Sequence, residues 1–305
     1  MSIVKAVRSS LGAKIALKLG VVAMVLTAAA STVIVIQQTR QMERMTLDKA
    51  RLAVAIGARQ YGQIIDGAID SGLLSVGQAF DRNYVGIKGH QWGKMPRFHS
   101  AYDTVLDPLV VGLLDKFLDY DDFVFAIGVD DHGYMPTHNS TFQKPFTDDP
   151  EKDSLLNRGK YLANHPVGLA AAQNKEPSLV QVYNRPTGET MWDVSSPIFA
   201  RGRHWGAFRV GVSMERIAAA QRALIAALAG AFAIFLVVTI GLMFLVVQLA
   251  MKPVVALTAA ADQISMGEAL ETPIKAATPD EIGVLTKTID RLRISMKAAM
   301  ARMGQ

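Results

Sequence analysis

Two stretches of the chain run without a charge for long enough to cross a bilayer. Leu19–Ile36 ("LGVVAMVLTAAASTVIVI") has 18 residues, and Ala223–Met251 ("ALIAALAGAFAIFLVVTIGLMFLVVQLAM") has 29. About 20 apolar residues at a rise of about 1.5 Å span a hydrocarbon core of about 30 Å. Both therefore read as transmembrane helices, over 15–37 and 223–251. Between them the period of the apolar positions changes once. Residues 38–120 read as mainly helical, with apolar positions at spacings of three and four and a second helical pattern in "DTVLDPLVVGLLDKFLD". Beyond them the alternation is that of strands. "DDFVFAIGVDDHGYMPTHN" holds two strand-like runs around a turn at Asp130–Gly133, and a helical excursion covers 150–175. "SLVQVYN", "ETMWDVSSPIFA" and "HWGAFRVGVS" then follow, joined by the turns "RPTG" and "RGR". Residues 38–222 are thus expected to form an α+β domain, with a five-stranded antiparallel sheet behind a long N-terminal helix.

After the second span comes a different pattern. Pro253 marks the junction, Leu257 and Ile264 lie seven apart, and Gly267 can end a helix. A connector, "GEALETPIKAATP", leads to Thr278-Pro279-Asp280-Glu281. This reads as a helix start, with Thr278 as N-cap, Pro279 at the first position and Glu281 closing a capping box. Ile282, Leu285, Ile289, Leu292, Met296, Ala299 and Met303 then repeat at 3-4-3-4-3-4, a heptad seam that needs partner helices. A connector of this length favours parallel helices, and two helices from each of two chains close a four-helix bundle. Pro253, Leu257, Gly267, Leu270 and Asp280-Glu281-Ile282-Gly283 followed by Leu285 resemble a HAMP domain, the relay found just inside the membrane in many bacterial receptors and sensor kinases. The resemblance assigns 252–305 to that domain. Its relay positions are Pro253, Leu257, Gly267, Glu281, Ile282 and Leu285, with Glu281 inheriting the family's acidic coupling role.

Charge sets the orientation. The net charge is +5. Residues 1–18 hold Lys5, Arg8, Lys14 and Lys18 and no acid, so residues 1–14 read as a cytoplasmic N-terminus. If "TAAAS" were a signal-peptide cleavage site, one span and the same outer domain would remain. Residues 38–222 are balanced at 21 basic and 21 acidic side chains. The basic surplus is a topology signal, and no nucleic-acid partner is expected. With no cysteine, thiolate metal sites and covalent c-type haem are excluded. The six histidines show no ligand spacing, although His99, His138 and His204 could converge in space, and no metal or other cofactor is expected. No nucleotide-binding loop, serine elbow or zinc helix occurs, so no catalytic residue is assigned and the protein is not expected to be an enzyme.

"FHSAYD", "DDHGYMPTHNSTFQKP", "EKDSLLNRGKYL", "VGLAAAQN" and "VYNRPTGETMWDVSSPIFARGRHWGAFRVG" resemble the periplasmic domains of certain methyl-accepting chemotaxis receptors, in the order of a Cache, PAS-like sensor. That resemblance implies a fold and a sensing role without naming a ligand. A sensor needs a concave sheet face with a few convergent polar groups. The candidates are Tyr134, His138, Asn139, Arg158, Lys160, Asp193, His204 and Arg209. Asp193 and Arg209 fall in mid-strand, where a charge needs a partner. Either Asp193 pairs with Arg158 or Arg209 and clamps the sheet, or an arginine is left to bind a small anion bidentately. Trp205 and the glycines at 202 and 206 read as core and hairpin.

The expected protein is a homodimeric sensor of the bacterial inner membrane, with its outer domain in the periplasm. Only Gly304 and Gln305 follow the seam, so a separate cytoplasmic protein is expected to read it. The alternatives are a scaffold that binds a periplasmic protein, and a truncated receptor that forms mixed dimers.

Overall fold

A computed structural model describes residues 11–184, 188–275 and 278–303. The chain divides into two units, Ile36–Ile225 and the remainder, Met1–Val35 with Ala226–Gln305. Among the described residues, two helices are long and apolar enough to cross a membrane. The first, α1, runs Leu11–Asp70 and the other, α6, runs Met214–Ser265.

In the Ile36–Ile225 unit the second half of α1 is amphipathic. Ala50, Val54, Ala58, Tyr61, Ile65 and Ala68 are buried at spacings of three and four. Small residues let the sheet come close: a Cβ at Gly57 would lie 2.3 Å from Phe208 Cε1. A capped turn of helix, α2 (Val76–Ala79), and a two-residue ladder of β1 (Val85–Gly86) with β2 (Phe98–His99) follow. Next comes α3, Asp103–Lys116.

The sheet is antiparallel, with β3 (Phe123–Asp130) at one edge, then β8 (Arg203–Ser213), β7 (Thr190–Ala200) and β6 (Leu179–Asn184). Alternate residues face opposite ways. Phe123, Ala126, Val194, Trp205, Phe208 and Val210 join α1 and α3 in the larger core. Phe125, Ile127, Val129, Met191 and Ala207 form a second core on the other face. The segment between β3 and β6 supplies the cover there, including Met135 and Ala172.

The sheet has four strands among the described residues, which corrects the expectation of five. β4 (Tyr134–Met135) leaves it and pairs with β5 (Tyr161–Leu162). The Asp130 carboxylate accepts from the His132 and Tyr134 amides, so the Tyr134 N–H is lost to a β3 ladder. Pro136 has no N–H to offer either. An isolated bridge, Ile127 to His138, is what remains beside β3. The helical excursion is two short helices, α4 (Pro150–Leu156) and α5 (Pro166–Gln173), with β5 between them. Of the expected "RPTG" turn, residues 185–187 lie outside the described residues. The hairpin at Arg201–Gly202 joins β7 to β8, with Ala200 opposite Arg203.

Candidate functional site

Several candidates of the Ile36–Ile225 unit, His138, Arg158 and Arg209 among them, gather on the covered face of the sheet and in its cover. Asp193 and Arg209 are both buried, diagonal neighbours on β7 and β8. Arg209 Nε lies 3.1 and 3.2 Å from the two carboxylate oxygens, and its Nη2 also donates to Asp193. Asp193 is therefore clamped by Arg209, so this arginine is already held bidentately. Arg158 donates Nε to the Leu155 carbonyl at 3.1 Å and lies over the Phe142 ring. Arg158, Arg209 and His138 share a small cavity of about 70 Å³ with Phe125, Tyr161 and His165. Burial, then the charge of Arg209, hold His165 below its ordinary value.

A larger cavity, about 430 Å³, lies on the other side of His138. Trp92, Phe142, Phe146, Pro108 and Val111 make its apolar walls; Asp107, Thr137 and Lys160 bring the polar groups. Lys160 is the centre of this arrangement. Its φ of 61° is left-handed, a strained state for a lysine. The strain is held by the Lys160 amide donating to Pro136 O at 3.2 Å and by its carbonyl accepting from Phe98 at 2.8 Å. The ammonium reaches Asp107 and, at 3.2 Å, Asp103. Both carboxylates come from α3, four residues apart and so on one helix face. Thr137 donates its hydroxyl to Asp107. Asp103 Oδ2 also accepts from the Tyr134 hydroxyl at 2.8 Å and the Ser100 amide at 3.1 Å, with His99 Nδ1 at 3.1 Å.

These two acids shift in opposite directions. Burial lifts Asp107 above the ordinary carboxylate value, against hydrogen bonds from Lys160 and Thr137. Burial also works to raise Asp103, but Lys160, Tyr134 and Ser100 outweigh it and hold it below that value. A depressed folded value means stability that is present above the unfolded value and lost as pH falls through the folded one. Acid unfolding is therefore expected to draw on Asp103 below the ordinary aspartate range. Asp103→Asn should flatten that limb of the stability–pH curve, measured by thermal melts from about pH 2 to about pH 6.

The remaining candidates sit elsewhere. Asn139 is buried, and among the described residues no protein group hydrogen-bonds its side-chain oxygen or nitrogen. His204 is 3.1 Å from the Asn174 carbonyl and lies against Phe199, away from both cavity linings. Trp205 is core, donating to Ala79 O at 2.8 Å. His99, His138 and His204 are held at separate places. Among the described residues Asp130, Asp131 and His132 bring their ligand atoms within 4.8 Å of one another. Both Asp130 oxygens and one Asp131 oxygen are already committed. Tyr84 and Tyr102 hydroxyls donate to Asp130 at 2.6 and 2.7 Å, and Arg82 Nε lies 2.5 Å from Asp131.

In the other unit, α6 passes through Pro253 without a break and ends at Ser265; Gly267, at φ 83°, turns the chain out of the helix. The last helix, α7, is Glu281–Met303. Its cap is Asp280, which corrects the expectation of Thr278. The Asp280 carboxylate accepts from the Ile282 amide at 3.0 Å and the Gly283 amide at 3.2 Å, and Thr278 only braces it at 2.6 Å. Asp280 takes the role because its side chain sits next to the first free amides. Glu281 is then the first helical residue and is exposed. Ala276 and Ala277 of the connector lie outside the described residues. The rest of the connector is tied along α7: Arg293 donates to Leu270 O, the Ile274 amide to Asp290 at 3.0 Å, and Lys297 pairs with Glu271. It thus runs backwards along α7, so the two helices point the same way. Between them Ala261, Ile264 and Ser265 face Ile289, Leu292, Met296 and Ala299 across an apolar groove of about 430 Å³. Leu257 and Ile264 are buried and Ile282 is half-buried, but Leu285 and Leu292 remain 43% and 62% exposed.

Residues 245–298 match the HAMP domain family. No curated protein matches the chain. Among solved structures, the extracellular domain of a protein described as a putative histidine kinase is similar at 15% identity and a TM-score of 0.25, over 60% of this chain and 62% of that chain. The chain therefore spans less than two thirds of that structure. A HAMP domain that begins within a membrane-length helix is the arrangement of transmembrane signal transduction, and that is the class of protein the sequence encodes.

Proposed function

We propose that this protein is a homodimeric receptor of the bacterial inner membrane, whose α+β unit is a Cache-like periplasmic sensor for a small molecule. The ligand enters the cavity above Lys160. Its effect leaves through β8, and the HAMP helices repack between two states of similar energy. A separate cytoplasmic protein reads the repacking through the second HAMP helix, around Met296 and Ala299. The reading includes no catalytic role.

One observation carries this proposal. β8 ends at Ser213, α6 starts at Met214 with no linker, and the same helix continues through the apolar stretch into the HAMP match. A displacement of the last strand is therefore handed on by a helix and not absorbed by a loop. The positive N-terminal tail supports the orientation. The exposed seam leucines support the dimer, because such a stripe needs a partner helix.

The native chain has no cysteine, so single cysteines report cleanly. Met296→Cys lies on the seam. Lys287→Cys, nine residues earlier, lies on the opposite side of α7. Oxidation in intact membranes is expected to cross-link Met296→Cys into dimers and to leave Lys287→Cys monomeric. Equal cross-linking at both positions would count against the bundle, and with it the relay.

A further inference from the structure

The rim of the larger cavity carries an inference about how access to it is controlled, resting on the reading of its unit as a small-molecule sensor. Residues 87–97 form a strap from β1 to β2, and the strap's Trp92 joins Phe146 in the cavity wall. Phe146 is 60% exposed, so these rings stand at the rim. Little of the strap's backbone is tied. Ile87 donates to Arg97 O at 2.8 Å where the strap closes, and Met95 donates to Trp92 O at 3.1 Å within it. Among the described residues, no backbone hydrogen bond joins 88–96 to the rest of the unit.

Side chains hold the strap instead, and they differ in kind. At its end Arg97 is a fixed post: buried, it donates Nε to Asn157 O at 3.2 Å and Nη2 to Ser154 O at 2.7 Å. In its middle stands His90, whose ring stacks on Phe146 and meets Trp92 edge-on, both at 4.6 Å between centroids. Its Nε2 lies 3.3 Å from Asp153 Oδ2, and among the described residues neither atom has another hydrogen-bond partner. Asp153 is fully buried on α4, its other oxygen accepting from the Thr147 amide and hydroxyl at 2.7 and 2.8 Å. Burial works to raise its carboxyl, but Thr147, then His90, hold it below the ordinary value, so it stays ionised where a histidine titrates. Glu151 of α4 also faces the strap, where Gly93, at φ 56°, comes against its carboxylate. Lys88 and Lys94 on the strap, and Lys144 and Asp148 beside Phe146, are exposed; Asp149 is committed to capping α4. Across the cavity stand Asp107, Lys160 and His138.

We propose that residues 87–97 are a lid on the larger cavity, latched by His90 on Asp153 and held shut when His90 carries a proton. Histidine is the side chain whose charge changes between about pH 5 and about pH 8. In acid His90 is an imidazolium against a buried carboxylate, and charge-assisted hydrogen bonds are roughly twice as strong as neutral ones. As pH rises the proton leaves and the latch falls to a neutral contact. The strap then swings out with Trp92, pivoting on Arg97 and the β1–β2 ladder. The response to a small molecule therefore fades as the periplasm acidifies.

The test needs no ligand. The chain has no cysteine, so Val111→Cys, half-buried in the cavity wall, reports access alone. The full chain in lipid nanodiscs is labelled with N-ethylmaleimide at about pH 5.5 and about pH 8, with and without His90→Gln. The same thiol is compared at each pH, so its own titration cancels. At about pH 5.5 the His90→Gln chain is expected to label roughly five- to ten-fold faster, the loss of a charge-assisted bond, and at about pH 8 at the same rate. His90→Arg, charged at both pH values and still able to stack, should label slowly at both. Equal rates at the lower pH overturn the proposal, because the strap then gates nothing. The same gain at both pH values overturns it too, because the ring and not its proton then holds the strap. Neither result bears on the sensor reading, which fails separately if no small molecule raises the melting temperature of the chain at either pH.

Discussion

Arg209→Met is expected to destabilise the Ile36–Ile225 unit by about 3–5 kcal/mol, the usual cost of stripping one partner from a buried ion pair. Both side chains lie on the covered face of the sheet, and Asp193 is fully buried. Arg209 is nearly so, with 2% of its surface exposed, and supplies hydrogen bonds to both Asp193 oxygens. Take the guanidinium away and a carboxylate is left in a site lined by Phe125, Ile127 and Met191, where it must either stay charged and unpaired or take up a proton. The double variant Arg209→Met with Asp193→Leu removes both charges and should recover most of the loss. Unfolding followed through the tryptophan signal of the full chain in detergent measures both. A single variant as stable as the wild type would show that the pair contributes no clamp, and that arginine would be available to a ligand after all.

The contrast between this pair and the cavity floor shows what a sequence can reveal. A charge in mid-strand is conspicuous, because alternation says which face it takes, so Asp193 and Arg209 each stand out from the strand pattern alone as charges that need a partner, although that pattern leaves Arg158 open as the partner of Asp193. Asp103 and Asp107 do not, although their spacing of four puts both on one face of α3. They sit in a helix rich in leucine and valine, and their partner Lys160 is far along the chain, placed by a left-handed backbone that no local pattern signals. Trp92, Phe142 and Phe146 are silent for the same reason: they lie in loops and turns without period, and only the tertiary fold makes them a wall. The two apolar spans and the heptad seam are legible because each is a long periodic signal. The loss of the fifth strand is not. A two-residue ladder offers no alternation to read, and the Asp130 carboxylate that captures the Tyr134 amide acts through geometry, not composition. The cap at α7 falls two residues beyond Thr278, since Thr278 and Asp280 are both good N-cap residues and only the folded geometry shows which carboxylate or hydroxyl meets the Ile282 and Gly283 amides.

Leu292→Asp should dissociate the dimer and silence the relay together. Leu292 lines the groove between the two HAMP helices and is still 62% exposed in one chain, so in the proposed dimer a second copy is what would bury it. Burying a leucine side chain is worth about 1.5–3 kcal/mol, and a two-fold dimer counts the substitution twice. The loss is therefore about 3–6 kcal/mol per dimer, a rise in dissociation constant of roughly two to four powers of ten, before any repulsion between the paired carboxylates is added. Arg293 is the matched control. It faces the other way, buried against the connector through Leu270 O and Asp290, so Arg293→Met should loosen the connector and leave the chains associated. Sedimentation in detergent separates the two outcomes. If Leu292→Asp stays dimeric at concentrations where the wild type does, the exposed seam has some other occupant, and the transmission route through α7 would have to be redrawn around it.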